Sequence, residues 1–484
     1  MKRIFFSVFV YTCGSLSSFC QHSGAVFSCP DTALQRAFEW AKKMALSYRG
    51  KPQDPVGPWY ESALPPRSAF CMRDVAHQCI GAEMLGLKRE NKNMFHLFTG
   101  NISASKDWCS YWEINKYNRP APEDYRNDHE FWYNLNANFD ILNACWRLFL
   151  WTGDRSYIMD TVFTNFYDRS VNEYIKTWIL DEDSLLSRKL HPNSPTNYNP
   201  QDPFHRCRGL ASYSEGVADL RMGVDLVAAI YCGLQTYADI TETKGNKTEA
   251  DRFRLKAEKY RKHLETYWWD SNDSLYNTYY NETGKFGKDE GETFLLWFDA
   301  LKDTARLRKT LKHLIAGKWN VENLSYFPCL MFRYGYWSDA YSYLLLLSDP
   351  ATKRREYPEV SYGVIQGFIT GLMGIEADSR YNRVSTLFRT SGLNSAEIDS
   401  LDILETSISV RHKSDRESEL VNKGKKPLVW RAKFSGEYFY LYDSVKAVRA
   451  SREKDQSGKT FSFIDLIVPP GKVKNITAPV RSGG

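Results

Sequence analysis

The sequence predicts a mainly α protein, an (α/α) six-hairpin toroid of two concentric rings with a small C-terminal antiparallel β domain. Three observations carry this. Apolar residues recur at three- and four-residue spacing from about 30 to 376, the period of helices with one buried face. The connections between these segments alternate between short and long. After about 377 the period switches to two, and Gly- and Lys-rich turns separate the segments.

The chain opens on a leader. Met1-Lys2-Arg3 is basic and 4–10 is apolar, followed by small residues, the pattern of a secretory signal over 1–24. It places the mature protein outside the cytoplasm, secreted or periplasmic. Cys20, in Ser18-Phe19-Cys20-Gln21, is a candidate for lipid attachment at an outer membrane. No later segment supplies the ~20 apolar residues of a membrane span.

The barrel is expected over 25–378. Helical periodicity marks 31–48, 72–86, 91–104, 131–152, 155–178, 214–240, 248–267, 292–301, 303–315, 337–347 and 360–374, and a short, poorly defined segment at 328–333 makes twelve. Connections 87–90, 153–154 and 241–247 are short; 49–71, 105–130, 179–213, 268–291 and 316–336 are long. Short connections close one end of a hairpin ring, and long ordered loops gather at the other, where function concentrates. The β domain is expected over 390–480, from alternating runs such as Leu428-Val429-Trp430-Arg431-Ala432-Lys433-Phe434.

The bulk composition excludes several classes. Net charge is +6, but acidic and basic residues are interspersed, so no basic stripe points to nucleic acid. The eight cysteines after residue 24 lack metal-ligand spacing, and no bridge can be assigned among them. There is no phosphate-binding or dinucleotide fingerprint. Neither metal nor organic cofactor is expected. Aromatic residues reach 15%, a share that serves either a large helical core or the apolar face of a sugar ring.

The long loops carry the chemistry. In the first, Trp59-Tyr60-Glu61 precedes Arg73-Asp74 at the start of an apolar helix. A carboxylate accepts two hydrogen bonds from vicinal hydroxyls while a guanidinium donates several and holds the carboxylate, so the pair is suited to gripping a sugar. The second loop offers Trp108, Trp112 and Glu113 as a wall, then Trp132. Cleaving a glycosidic bond requires two carboxyl groups, one to protonate the leaving oxygen and one to activate water. Glu215, in Ser212-Tyr213-Ser214-Glu215, is the acid candidate and is expected to open the sixth helix. Glu359, after Pro358 at the start of the last barrel helix, is the base candidate. Each also reads as an ordinary first-turn carboxylate. Glu290 or Glu292 is the substitute base, with Glu290 otherwise a binding residue.

This ordering resembles the six-hairpin glycosidases, the clan of glucoamylase, trehalase and α-rhamnosidase-like enzymes. Arg73-Asp74 is similar to the Arg-Asp pair that binds the terminal sugar in glucoamylase-like members. The resemblance places the general acid between the fifth and sixth helices and the base between the eleventh and twelfth, which are the places of Glu215 and Glu359. It implies an exo-acting, inverting hydrolase of an oligo- or polysaccharide, without cofactor. The glucoamylase and trehalase signatures are absent, and the β domain follows the barrel instead of preceding it, so the substrate stays open, an acidic sugar included. A polysaccharide lyase using Tyr213, His205 and Arg208, a non-catalytic glycan-binding protein, and a phosphorylase are the alternatives.

Overall fold

The computed structural model describes residues 24–480 apart from 64–65, 200, 207–208, 212, 215, 218 and 456. The expected leader with Cys20, the acid candidate Glu215, and Arg208 therefore lie outside the described residues.

Twelve helices build the barrel: α1 (Thr32–Ser47), α2 (Met72–Met84), α3 (Lys88–Gly100), α4 (Ala137–Thr152), α5 (161–177), α6 (Val224–Thr243), α7 (247–268), α8 (Glu292–Trp297), α9 (Thr304–Ala316), α10 (Val321–Arg333), α11 (Trp337–Ser348) and α12 (358–372). The even-numbered helices form the inner ring. Each packs on the next, and α12 returns to α2 and closes it. The odd-numbered helices lie outside, α1 against α12, α7 against α6 and α11 against α10. Burial follows from this. Inner α4 and α6 are buried nearly throughout, whereas outer α1 buries only the stripe Leu34, Ala37, Phe38, Ala41 and Ala45.

Close approach on the inner ring is set by small residues. A Cβ on Gly363 would meet the Ser325 carbonyl oxygen at 2.6 Å, and one on Gly367 would meet Pro328 Cβ at 2.7 Å. These glycines lie four apart on one face of α12 and let α10 pack backbone against backbone.

Three element boundaries differ from the periodicity. Helix α4 begins at Ala137, not 131, because Glu130–Phe131 pairs with Tyr125–Asn127 as a hairpin. Helix α6 begins at Val224, not 214, because Leu220–Gly223 is a strand paired with Tyr279–Asn281. The short segment at 328–333 is the second half of a full helix, α10, which runs through Pro328. Asn320 caps it, accepting from Asn323 N at 2.9 Å. The connection before α10 is thus only 317–320.

The β region is built of two sheets. A seven-stranded sheet has the order Val26–Ser28, Ala396–Ile403, Thr406–Ser414, Glu417–Asn422, Val473–Thr477, Tyr440–Asp443, Lys446–Arg449. A five-stranded sheet runs Glu376–Asp378, Arg383–Leu387, Leu428–Ser435, Thr460–Val468, Ser451–Lys454. Pairing is antiparallel except between Arg383–Leu387 and Leu428–Ser435, which run parallel. Strands thus start at 376, and Val26–Ser28 joins from the beginning of the chain, both outside the expected 390–480. Bonds fasten the sheets to the closed end of the barrel: among them, Trp151 Nε1 donates to the Asp402 carbonyl at 3.1 Å, and His412 Nε2 to the Met373 carbonyl at 3.0 Å.

Among the described residues no helix is long and apolar enough to cross a membrane. The described cysteines are unbridged.

Candidate active site

A cavity of about 830 Å³ opens where all six inner helices begin. The loop before α2 supplies Arg67, and α2 itself Arg73 and Asp74; the loop before α4 supplies Trp112, Glu113, Glu123, Asp124 and Trp132. The loop before α6 adds Tyr213 and Gly216, that before α8 adds Asp289 and Glu290, α10 adds Glu322, and α12 adds Glu359. Helix N-termini present unsatisfied N–H groups and a partial positive charge, so this is the end of the barrel where carboxylates are tolerated.

Every inner helix carries an acidic residue in its first turn: Asp74, Asp140, Asp225, Glu292, Glu322 and Glu359. Their partners divide them. Asp140 Oδ1 faces His77 Nε2 at 3.2 Å, Asp225 Oδ2 accepts from Tyr213 N and Asn136 Nδ2 at 3.0 Å each, and Glu292 Oε2 faces His313 Nδ1 at 2.6 Å. All three are buried and consumed by packing the ring. Asp74, Glu322 and Glu359 face the cavity. Glu292 is thus paired with His313 and does not line the cavity.

Arg73 and Asp74 are joined at 3.1 Å (Nε to Oδ1), and the guanidinium lies between two rings, 4.8 Å from Tyr213 and 5.6 Å from Trp112. The arginine is thereby fixed in direction. Tyr213 stacks on Phe294 with centroids 3.7 Å apart, and its hydroxyl is 3.2 Å from that of Tyr326, which in turn bonds His77 Nδ1. With Asp140 on the far side of His77, a buried polar chain braces the cavity floor.

Four of the lining carboxyls, Glu113, Asp124, Glu290 and Glu359, hold protons unusually tightly. Burial, the charges of Asp74 and Glu322, and only partial relief from Arg73 push Glu359 up to about 8. Burial and the adjoining Asp124 push Glu113 up to about 9, although Arg67 Nη2 bridges Glu113 Oε2 and Asp124 Oδ2 at 2.8 Å each. Asp124 is raised too, chiefly by burial. Glu290 is raised by burial while Asn320 and Asn323 donate to it at 2.9–3.0 Å.

Of the residues expected at the site, the structure brings together Arg73, Asp74, Trp112, Glu113, Trp132, Glu290 and Glu359. Two expected wall residues are elsewhere. Trp59 is only 5% exposed, packs on Phe70 and donates to Asp54 Oδ2 at 2.7 Å. Trp108 stacks under Arg169 at 4.9 Å, and it does not line the cavity. Helix α6 starts at Val224, with Asp225 in its first turn. Described neighbours Tyr213 and Gly216 do line the cavity. His205, one member of the lyase trio, is committed to Glu130 at 3.1 Å and to Asn199 N. Glu322, Glu123 and Asp124 also line the cavity, with no motif in the sequence reading that singles them out. The signal for Glu322 is present, an Asn cap two residues before a Glu, but 316–336 reads as a long connection with only a short helix at 328–333. Among the described residues no group of His, Cys, Asp and Glu is placed to hold a metal ion.

Residues 181–318 match the trehalase family. No curated protein matches the chain in sequence. Among solved structures, an α-L-rhamnosidase from Dictyoglumus thermophilum is similar over 94% of this chain and 50% of its own, at 13% identity and a TM-score of 0.61. A rhamnosidase of Bacillus sp. GL1 is similar over 81% of this chain and 41% of its own, at 12% identity and a TM-score of 0.56. A protein from the human microbiome named as a kojibiose phosphorylase is similar over 93% of this chain and 68% of its own, at 10% identity and a TM-score of 0.54. The chain spans about half the length of the two rhamnosidases. In fold the chain is a six-hairpin toroid like those of these solved structures, and the match to the trehalase family is confined to residues 181–318.

Proposed function

We propose that the protein is an exo-acting glycoside hydrolase of the inverting kind, removing a terminal sugar from an oligo- or polysaccharide. One observation carries this reading: a single cavity at the start of all six inner helices gathers Glu359, the braced Arg73-Asp74 pair and the Trp112 and Trp132 rings. Arg73 and Asp74 grip the terminal sugar, which ends the binding groove there. Glu215 donates a proton to the glycosidic oxygen as the bond to the anomeric carbon breaks. Glu359 takes a proton from water as the water oxygen bonds to that carbon from the opposite face. A carboxylate with its proton affinity near neutral is a stronger base than a solvated one and is still partly ionised at working pH.

The charge of the cavity favours a neutral sugar. Among the described residues its lining holds eight carboxylates (Asp74, Glu113, Glu123, Asp124, Asp289, Glu290, Glu322, Glu359) against Arg67 and Arg73. A uronate or a phosphate nucleophile would be repelled, which favours water over phosphate even though one structural neighbour is named a phosphorylase. The leader pattern supports action outside the cytoplasm.

The test is a screen of purified protein against aryl glycosides and oligosaccharides, with and without phosphate, beside Glu215→Gln and Glu359→Gln. Release of one monosaccharide by the wild type, lost in both variants, is the expected result. Phosphate-dependent turnover means a phosphorylase, an unsaturated ultraviolet-absorbing product means a lyase, and binding without turnover means a glycan-binding protein.

A further inference from the structure

At the other end of the barrel axis, where α4, α10 and α12 finish, a second cavity of about 320 Å³ lies against strand Glu376–Asp378. Three guanidiniums line it: Arg147 near the end of α4, Arg333 at the end of α10, and Arg389 just after strand Arg383–Leu387. Among the described residues Glu376 is the one carboxylate in the lining.

The three arginines are unequally satisfied. Arg389 donates through Nη1 to the carbonyls of Thr370 and Gly371 at 2.8 and 2.9 Å, and its Nη2 is 3.5 Å from Glu376. Arg333 has Asp299 and Glu376 as its opposite charges. Arg147 makes no hydrogen bond or ion pair with the described residues; it rests on the Trp297 ring at 4.9 Å, and Arg333 opposes its charge. Desolvation and this like charge both work against the cation. Carbonyl-rich helix C-termini ease three positive charges in one place but do not pair the Arg147 fork. A guanidinium presents parallel N–H donors matched to a carboxylate or phosphate.

We propose that this cavity is a second binding site, for a small doubly charged oxyanion of the phosphate, sulfate or dicarboxylate class. The site is independent of the hydrolase reading, since it shares none of that cavity's lining residues.

The test titrates the full protein with sodium phosphate, sulfate or malonate at ionic strength held by sodium chloride, following the thermal midpoint and heats of binding. Wild type should show a saturable rise that chloride does not give. Arg147→Met should weaken the apparent affinity by about tenfold or more, while Glu359→Gln keeps the wild-type response. In chloride alone Arg147→Met should unfold at the same or a higher temperature, because a like-charge contact is gone. If Arg147→Met fails to fold, Arg147→Lys keeps the charge without the fork and should still weaken binding. The anion with the tightest response identifies the class. No response beyond chloride, an equal response in the Arg147 variants, or a response lost in Glu359→Gln (which puts the anion at the mouth) would overturn the proposal.

Discussion

The two ends of the barrel are built from the same six inner helices yet carry opposite charge. Among the described residues the mouth gathers eight carboxylates against two arginines, and the closed end gathers Arg147, Arg333 and Arg389 against Glu376. Helix polarity explains the direction of this asymmetry. All six N-termini meet at the mouth, and α4, α10 and α12 end at the arginines. Polarity does not explain its extent. A helix end favours a charge by about 0.3–1 kcal/mol, too little to hold every mouth carboxylate ionised, and Glu113 and Glu359 accordingly bind protons up to about 9 and about 8. Stability alone does not call for such crowding; the proposed proton transfers do.

Among the proposed binding residues of the mouth, the largest effect should come from the Arg73-Asp74 pair. Arg73→Lys keeps the charge but loses the fork held between Tyr213 and Trp112, and Asp74→Asn loses the acceptor. Each should lower kcat/KM by about 100-fold, read by steady-state kinetics on variants whose circular dichroism is unchanged. If either keeps wild-type kcat/KM, the mouth is not where the sugar sits.

Next come the aromatics, which separate wall from core. Trp112→Ala should raise KM by about tenfold, as stacking area is lost, while Trp108→Ala leaves KM within about twofold because its ring covers Arg169 instead of the cavity. The reverse pattern would relocate the binding wall.

The raised carboxyls also leave a mark on stability. Glu359 and Glu113 bind protons more tightly folded than unfolded, so their contribution is complete below about 4.5 and is lost as pH rises through about 8 and about 9. The thermal midpoint of wild type, measured against that of Glu359→Gln, should therefore fall across this window. A constant difference would mean that Glu359 is ionised throughout. Smallest is Glu292→Gln, which weakens the bond to His313 and should cost about 1–2 kcal/mol in denaturant unfolding with kcat unchanged.

What was legible in the sequence was what local periodicity encodes. The ring of helices and the side on which the loops gather follow from amphipathic spacing, and Glu359 was visible because Pro358 marks a helix start. What was missed depends on distant partners. Ser212–Glu215 looks like a helix cap, but Leu220–Gly223 pairs with Tyr279–Asn281 some sixty residues on and delays α6. Pro328 looks like a break, but Gly363 and Gly367 on α12 leave room for α10 to continue through it. Glu322 was lost with that helix. Composition flagged tryptophan as important without telling Trp59, a core residue, from Trp112, a wall.

The most direct test of the contrast between the ends is turnover of Glu359→Gln beside Arg147→Met, on whichever substrate the wild type cleaves. The account predicts a loss of about 1,000-fold in the first, from removal of the base, and turnover within about twofold of wild type in the second, because Arg147 touches only the closed end. Sustained turnover in Glu359→Gln, or its abolition in a folded Arg147→Met, would contradict it.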